Sequence, residues 1–441
     1  MRLPERPPVI PGDYAFGKVL DELIQVRHYT EFIETEGTKY YYFEKWKFKA
    51  KEWGINPAKL WGAVKSHRRI SNNPLIFSEI PGFTFTIGTP SIIQKYVHEF
   101  DLNLGGSLQG DTIIPTEEKD RYLISSLMEE AIASSQIEGA ATTRKVAKEM
   151  LENNRKPKNI SEQMILNNYE AMKWIVANKQ APITIQNIKK IHSILTKSTL
   201  GSQDEEGTFR ITDDINVVDV QTGNPVYTPP AHKQLESLME AFCTFANDRE
   251  KRIFFLHPIT KGIIMHFLIG YIHPFVDGNG RTARTMFYWY LLKKGYWLIE
   301  YMSVSRIILN SKAQYARAYL YTEQDENDLT YFVIYNLDAI DKALQDLKKY
   351  IQRKSAEKQN AVTLLRNTTF NDRQILLIQD IIQDSTAYFT VQQVQNKFGV
   401  SNQTARNDLN ALVNAGLFEE RKSGAKIQFL PVKGFIKKIT R

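Results

Sequence analysis

Residues 273–284, which read HPFVDGNGRTAR, hold the residue types that chemistry needs within one short stretch. His273 is the side chain of this stretch whose unperturbed pKa lies closest to neutrality, so it could take the proton of an incoming hydroxyl. Gly278 and Gly280 flank an amide, and glycines let the backbone approach an anion closely. The stretch therefore indicates a reactive loop that combines a base with a cradle for an anion.

The other polar residues of this loop suit a phosphate-bearing substrate and a metal ion. Asp277 offers a carboxylate oxygen of the kind that Mg²⁺ uses when it bridges to phosphates. Asn279 could donate its side-chain amide to phosphate oxygens. Arg281 and Arg284 stand three residues apart, roughly on one face of a helix that begins near Arg281, and could clamp further phosphates. Because the N-terminal end of such a helix also favours phosphate, the pattern predicts a phosphoryl- or nucleotidyl-transfer site.

Apolar segments on both sides of the loop must hold it in place. Residues 263–272 and 286–292 are strongly apolar, which predicts that the loop is mounted between two buried helices. Helical spacing of apolar residues recurs through most of the chain and predicts a mainly α fold. The expected helices lie within 116–153 and over 161–178, 185–196, 231–247, 258–272, 281–294, 305–321 and 329–352.

A second polar cluster lies far upstream, at residues 134–139, which read SSQIEG. Gly139 is a natural helix terminator, so Glu138 should lie at or near a helix C-terminus. A carboxylate is unfavourable there because that end of the helix dipole is negative. A nearby cation would remedy this, and the alternative is a solvated glutamate.

The helical pattern stops between residues 201 and 230, where a β-hairpin is expected. Residues 216–220 and 225–228 flank the turn residues 221–224. Val217, Val218, Val220 and Tyr227 would line a strand edge that an extended peptide could join. The alternative is a plain surface hairpin.

Residues 371–441 look like a separate winged helix-turn-helix module, with two helices, a turn, a third helix capped by Ser401, and a hairpin over 417–429. The third helix carries Asn402, Gln403 and Arg406, residue types that can contact bases and phosphates. Ten Lys and Arg against six Asp and Glu give this module a net charge of +4. DNA binding through 371–430 and a protein-contacting winged helix both stay open.

The N-terminal region, residues 1–110, carries no comparable motif. Residues 45–49 read KWKFK, which allows single-stranded nucleic acid binding but favours a half-buried strand or helix edge. Residues 105–112 lack the lysine of a phosphate loop because Asp111 stands in its position, so they are interpreted as a linker. The polar residues 353–360 are interpreted as a linker or a solvated helix end.

The composition bounds the function classes. With 441 residues the chain can form two to four domains, and its single cysteine, Cys243, excludes a disulfide framework and indicates a reducing, cytoplasmic compartment. No apolar run is long enough to span a membrane, and the start of the chain has no signal-peptide core. The net charge of +8 fits ATP, nucleic acid or acidic proteins equally.

The loop resembles, residue for residue, the signature HPFx(D/E)GNGRxxR of the Fic (filamentation induced by cAMP) family. This resemblance implies transfer of AMP from ATP, with Mg²⁺ or Mn²⁺, to a Ser, Thr or Tyr hydroxyl of a protein, with auto-AMPylation as one form. It implies His273 as the base, Asp277 as the metal ligand, the backbone of 278–280 as the anion hole, and Arg284 as the contact of the γ-phosphate. Asn279 and Arg281 would help to hold ATP, and the hairpin 216–228 would be the flap that aligns the target.

The upstream cluster resembles the inhibitory motif (S/T)xxxE(G/N) of autoinhibited Fic proteins, at Ser134, Glu138 and Gly139. The resemblance implies that Glu138 pairs with Arg284, so that Arg284 cannot hold the γ-phosphate and ATP is badly posed for attack. Glu138 could also position a water, so an enzyme that mainly removes AMP is one alternative. The other is a DNA-binding transcriptional regulator whose Fic domain senses a nucleotide.

The same resemblance sets the expected domains. They are an N-terminal region over 1–110, a Fic core over 111–355 with an inhibitory helix at about 121–139, and the winged helix over 371–441. The flanking regions fit common bacterial members, and a homodimer stays open.

Overall fold

In the computed structural model, the described residues are 3–10, 21, 23–24, 27–105, 119–218, 225–249, 254–365, 370–383, 387–423 and 426–432. Helices dominate these residues, as the apolar spacing predicted. The α-helices are Tyr29–Thr38, Phe43–Glu52, Pro57–Ser71, Ser91–Leu104, Lys119–Ile137, Arg144–Glu152, Ile160–Ala177, Ile185–Thr196, Leu235–Ala246, Pro258–Ile272, Asn279–Lys293, Val304–Asn310, Lys312–Gln324, Thr330–Leu365, Asp372–Gln383, Val391–Phe398 and Asn402–Asn414. None of these helices is long and apolar enough to cross a membrane.

Two helices form the centre of the molecule, Pro258–Ile272 (α1) and Asn279–Lys293 (α2). They pack against each other and are buried on nearly every side. α1 is apolar around most of its circumference, whereas α2 buries polar side chains in its first two turns and is mainly apolar after them. His257 caps the start of α1, where its Nδ1 accepts the backbone N–H of Ile259. The residues between α1 and α2 are the loop that the sequence marked as reactive, and its mounting is therefore rigid.

The helix Lys119–Ile137 (α3) lies beside this pair, and Ile160–Ala177 packs against both α2 and α3. The helical stretch expected within 116–153 consists of two helices, because a turn around Gly139, the expected terminator, separates α3 from Arg144–Glu152. Residues 305–321 were expected as one helix and are also two, Val304–Asn310 and Lys312–Gln324. The break falls at Ser311, whose backbone leaves helical geometry with ψ of 35°.

The N-terminal region packs around aromatic side chains on its first helices. Trp46 and Trp61 are fully buried there, whereas Phe48 is exposed. Residues 45–49 therefore belong to a helix edge, Phe43–Glu52, and not to a strand. The sequence analysis did not predict the antiparallel pair Asn73–Ile76 and Thr84–Ile87. Its buried residues join the same apolar cluster as α1 and α2.

The C-terminal module has its own buried cluster, made by helices Asp372–Gln383, Val391–Phe398 and Asn402–Asn414 and the hairpin Phe418–Ser423 with Lys426–Pro431. The helix Thr330–Leu365 extends through residues 353–360, where a linker was one interpretation. Helix Val391–Phe398 contacts both α3 and Arg144–Glu152, and Asn396 donates a hydrogen bond to the carbonyl of Glu152. The module therefore lies against the core on the side of α3. The expected linker over 105–112 lies, after Gly105, outside the described residues.

Candidate active site

The reactive loop is shaped by two left-handed backbone positions. His273 ends α1 with φ of 50°, and Gly278 precedes α2 with φ of 80°. Gly278 cannot be replaced cheaply, because a Cβ there would come within 2.8 Å of the Thr196 side chain as well as adopting a strained φ. The first turn of α2 begins at Asn279, two residues earlier than expected, so its backbone N–H groups face the loop. This is the geometry of an anion cradle at a helix N-terminus.

His273 is half-buried and can act as a base. Burial lowers its pKa, so the ring is neutral at physiological pH. Its Nδ1 lies 3.1 Å from the carbonyl of Gly270, which fixes Nδ1 as the protonated nitrogen. The Nε2 makes no hydrogen bond to any of the described residues, and is left as the proton acceptor.

Asp277 and Arg281 are joined across the first turn of α2. Arg281 is fully buried, and its Nη2 donates to Asp277 Oδ2 over 3.1 Å. Its Nη1 donates to the carbonyl of Leu195 over 3.0 Å, whereas its buried Nε has no partner in the described part of the chain. The Asp277 side chain is 61% exposed, and its second carboxylate oxygen is open to solvent or a ligand. Arg281 therefore positions Asp277 and has little freedom to reach a substrate directly.

Asn279 shapes the loop with its side chain. Its Oδ1 accepts the backbone N–H of Phe275 over 2.9 Å, and its Nδ2 donates to the carbonyl of Phe275 over 2.8 Å. One N–H of Nδ2 is used in this closure, and the expected contact to phosphate through its second N–H stays a prediction.

Two further residues hold the loop and were not singled out in the sequence. His192 is buried, its Nε2 donates to the carbonyl of Asp277 over 2.8 Å, and its ring stacks on Phe275 at 3.7 Å. Burial lowers the pKa of His192 to about 4, so this tautomer persists at neutral pH. Arg210 is buried and donates to the carbonyls of His273, over 2.9 Å, and of Thr212. A lone histidine on an apolar helix and a lone arginine outside any helix gave no sequence signal for these roles.

Arg284 lies on the second turn of α2 and is fully engaged with α3 and the residue that follows it. Its Nη2 lies 2.9 Å from Glu138 Oε1 and 2.9 Å from the carbonyl of Ser134, and its Nε lies 2.9 Å from Ser134 Oγ. The guanidinium is 3% exposed and the Glu138 side chain is 31% exposed. Glu138 Oε1 also lies over Gly280, where a Cβ would be 2.2 Å from it. The carboxylate therefore occupies the space directly above the anion cradle.

The C-terminus of α3 is held by a cation. Gly139 has φ of 95°, which ends the helix as expected. Lys312 Nζ donates to the last carbonyls of α3, at 2.8 Å from Gln136 O and 3.2 Å from Ile137 O. Glu138 thus lies at the unfavourable end of the dipole, and Lys312 and Arg284 are the cations that offset it.

A buried carboxylate anchors the middle of α3. Glu130 Oε2 accepts from Tyr288 of α2 over 2.8 Å, from Ser303 Oγ over 3.0 Å and from the backbone N–H of Ser305 over 3.0 Å. Burial raises the pKa of Glu130, while these hydrogen bonds act against that rise. The network holds α3 against α2 in the register that brings Ser134 and Glu138 to Arg284.

The hairpin beside the loop is short and attached at its base. Val217 pairs with Tyr227 and Val218 with Pro225, with an irregularity between them. Tyr227 donates through its hydroxyl to the carbonyl of Tyr271, 2.8 Å away, near the end of α1. Val220 and the expected turn lie outside the described residues.

Two parts of the chain match known families. Residues 182–291 match the Fic/DOC family, and residues 373–428 match the DeoR-like helix-turn-helix domain. The sequence-based prediction of a mainly helical Fic core followed by a winged helix is thereby confirmed.

Among curated proteins, a protein adenylyltransferase Fic from Nematostella vectensis is 36% identical over 132 residues, 29% of this chain and 28% of that protein. One from Aedes aegypti is 31% identical over 222 residues, 49% of this chain and 39% of that protein. The chain thus spans well under half the length of these relatives. A crystal structure of a Fic family protein from Desulfovibrio desulfuricans is similar with a TM-score of 0.49 and 19% identity, over 78% of this chain and 97% of that one.

Proposed function

We propose that the chain is a protein adenylyltransferase that transfers AMP from ATP to a protein hydroxyl, since residues 182–291 match the Fic/DOC family and residues 373–428 match the DeoR-like helix-turn-helix domain. The observation that carries the proposal is the loop geometry. His273 is neutral, and its Nε2 makes no hydrogen bond within the described residues. It lies beside the N-terminus of α2, where the backbone after Gly278 forms the anion cradle. A base next to an anion cradle is what attack of a hydroxyl on a phosphate requires.

The residues present fit ATP with a divalent metal. Backbone N–H groups at the start of α2 would hold phosphate oxygens, and Arg284 would hold the γ-phosphate once it is released from Glu138. Among the described residues no three His, Cys, Asp or Glu side chains come together as a metal site. Asp277 alone suits Mg²⁺ or Mn²⁺ whose remaining ligands are substrate phosphates and water. Such an ion would neutralise phosphate charge in the transition state.

The reaction then follows from the positions of these groups. The target hydroxyl gives its proton to His273 Nε2, its oxygen forms a bond to the α-phosphorus, and the bond to the β-phosphate oxygen breaks. Pyrophosphate leaves and AMP stays on the target oxygen. Arg210 and His192 act on this step through position alone, because they fix the backbone on both sides of His273 and Asp277.

The same geometry supports autoinhibition by Glu138. Its carboxylate pairs with Arg284 at 2.9 Å and lies over Gly280, so it competes both for the γ-phosphate contact and for the space above the cradle. A negative charge there also repels phosphate. These contacts support the proposal that the pairing of Glu138 with Arg284 is a closed, low-activity form.

The protein target would be aligned by the hairpin 217–227. Its strands are short and at the edge of the domain, so an extended target segment can add to them through backbone hydrogen bonds. Tyr227 ties the hairpin to α1 and so fixes its distance from His273.

The test uses Glu138→Gly, which we call the released variant. We expect it to label itself or a lysate protein with α-labelled ATP and Mg²⁺, far above the wild type, and we expect Glu138→Gly/His273→Ala to show no label. An unlabelled released variant, with lysate present, would contradict the proposal.

Duplex DNA binding is a second candidate function, favoured by the exposed face of helix Asn402–Asn414. Asn402, Gln403 and Arg406 are exposed, whereas Ala405 and Leu409 pack into the module. Ser401 caps the helix through its Oγ and the N–H of Thr404. An exposed polar N-terminal face on the third helix is how this fold enters a major groove.

Selection from random duplex DNA, followed by titration at several salt concentrations, tests this candidate. We expect Arg406→Ala to weaken binding about tenfold, or more if it reads a base, and Asn414→Ala at the far end of the same helix to leave it unchanged. Selection that enriches no sequence, with binding unaffected by Arg406→Ala, would exclude it.

A further inference from the structure

A cavity of about 680 Å³ is lined on one wall by α3, and its lining includes no residue of the reactive loop. We call it the rear cavity. Its walls are α3, helix Arg144–Glu152, residues 301–306, helix Thr330–Leu365 and the C-terminal module. Its volume is in the range of small-molecule sites. The proposed function assigns no role to this space.

Cations are in excess in the rear cavity. Six lysines and arginines line it against four carboxylates. Three of the carboxylates are already paired with cations in the wall: Glu129 with Arg144, Glu152 with Lys148, and Asp380 with Lys397. Serine hydroxyls from α3 and from residue 303, and amides from the C-terminal module, supply neutral hydrogen-bonding groups beside them.

Two cations in the wall form no ion pair with a described residue. Within the described ranges, Arg306 and Lys349 have no carboxylate partner, and they come from different helices. One carboxylate of the wall, Asp346, has no cation partner in the described part of the chain, and it lies one turn from Lys349. Two cations on separate elements that face one cavity are a common arrangement for binding a phosphate group.

The rear cavity is connected to the Glu138–Arg284 pair through α3. Ser126 Oγ donates to the carbonyl of Tyr301 over 2.7 Å, and both residues line the cavity. Ser303 lines it too, and its hydroxyl is one of the donors to Glu130. The backbone N–H of Arg306 donates to this same hydroxyl of Ser303. Because Glu130 fixes the register of α3, a ligand that draws Arg306 and with it Ser303 away loosens the hold on the helix that presents Ser134 and Glu138.

We propose that the rear cavity binds a phosphorylated small molecule through Arg306 and Lys349, and that its binding loosens α3 and releases Arg284. The first half of the proposal stands on the cavity alone. The second half rests on the proposed adenylyltransferase activity.

Binding is tested by hydrogen exchange of the full chain with millimolar inorganic pyrophosphate as the probe, without divalent metal. We expect slower exchange in peptides over 124–129 and 301–306. We expect that Arg306→Ala/Lys349→Ala raises the pyrophosphate concentration needed for half of this protection by at least about tenfold for each cation lost. The matched control is Lys342→Ala, an exposed lysine of the same helix outside the cavity. Protection confined to 273–284 would assign the probe to the reactive loop, and would overturn the proposal, as would equal protection in the double variant.

Coupling is tested by the rate of AMP labelling with Glu138 intact. Inorganic phosphate replaces pyrophosphate in this assay, because pyrophosphate is a product of the transfer and would slow it, and the binding of phosphate is first verified by the same exchange experiment. The typical coupling between two sites predicts a rise of at least about fivefold on adding phosphate, absent in Arg306→Ala/Lys349→Ala. A rate that is unchanged or lower while exchange reports binding would overturn the second half. If the released variant transfers no AMP at all, the proposed function fails and the exchange result still decides the first half.

Discussion

Removing the charge of Glu138 is the most informative single perturbation of the Glu138–Arg284 pair. In Glu138→Gln an amide oxygen replaces a carboxylate of nearly the same shape, so Arg284 keeps an acceptor but loses an anionic partner. The side chain lies at 2.9 Å from a guanidinium that is only 3% exposed, so solvent screens the interaction weakly. Ser134 continues to accept two hydrogen bonds from Arg284.

The magnitude follows from the difference between the two kinds of hydrogen bond. A bond between charged groups contributes about 1.5–3 kcal/mol and a neutral one about 0.5–1.5 kcal/mol, so the substitution weakens the closed state by about 1–1.5 kcal/mol. This is about a tenfold rise in the population with Arg284 free. Glu138→Gly removes the whole side chain, including the oxygen over Gly280, and should exceed Glu138→Gln.

The assay is the initial rate of AMP labelling at fixed ATP and Mg²⁺ for wild type, Glu138→Gln and Glu138→Gly. Glu170→Gln, at an exposed surface pair with Lys173, is the matched control and should equal wild type. A Glu138→Gln protein as inactive as wild type, beside an active Glu138→Gly, would refute the electrostatic reasoning and leave steric obstruction as the cause of inhibition.

Three further outcomes are expected. As the pH falls, the released variant should lose activity with a midpoint below pH 6.5, because burial lowers the pKa of His273 and the neutral ring is the base. A midpoint above pH 6.5 in the pH–rate profile would contradict this assignment. Tyr227→Phe should raise hydrogen exchange over 225–227 by about twofold to tenfold, since one hydrogen bond to Tyr271 is lost; unchanged exchange would mean that this bond does not hold the hairpin. Asn279→Ala should lower the free energy of unfolding in urea by about 2–5 kcal/mol because Phe275 loses both backbone partners, and a change under about 1 kcal/mol would show that water replaces them.

The sequence predicted the elements around the site well where apolar periodicity is strong. Helices over 185–196 and 258–272 have the expected bounds, because each begins at a clear cap and carries an uninterrupted apolar pattern. The break at Gly139 was expected from the residue type, whereas periodicity alone did not reveal the break at Ser311. The second break depends on backbone angles that tertiary contacts select.

The roles inside the loop were harder to predict than its position. Residue types alone pointed Asn279 toward phosphate and did not reveal that its side chain also closes the loop on Phe275. Arg210 and His192 act through backbone carbonyls, which leave no mark in the sequence. The contacts of Glu130 and Lys312 with distant segments likewise require the folded chain.

The central claim is that His273 and the start of α2 transfer AMP, and the most direct measurement is which part of ATP reaches the protein. The released variant is incubated in parallel with α-labelled and γ-labelled ATP and Mg²⁺, with Glu138→Gly/His273→Ala as the control. We expect label from the α-position only, and none in the control. Label from the γ-position, or label that persists without His273, would contradict the claim.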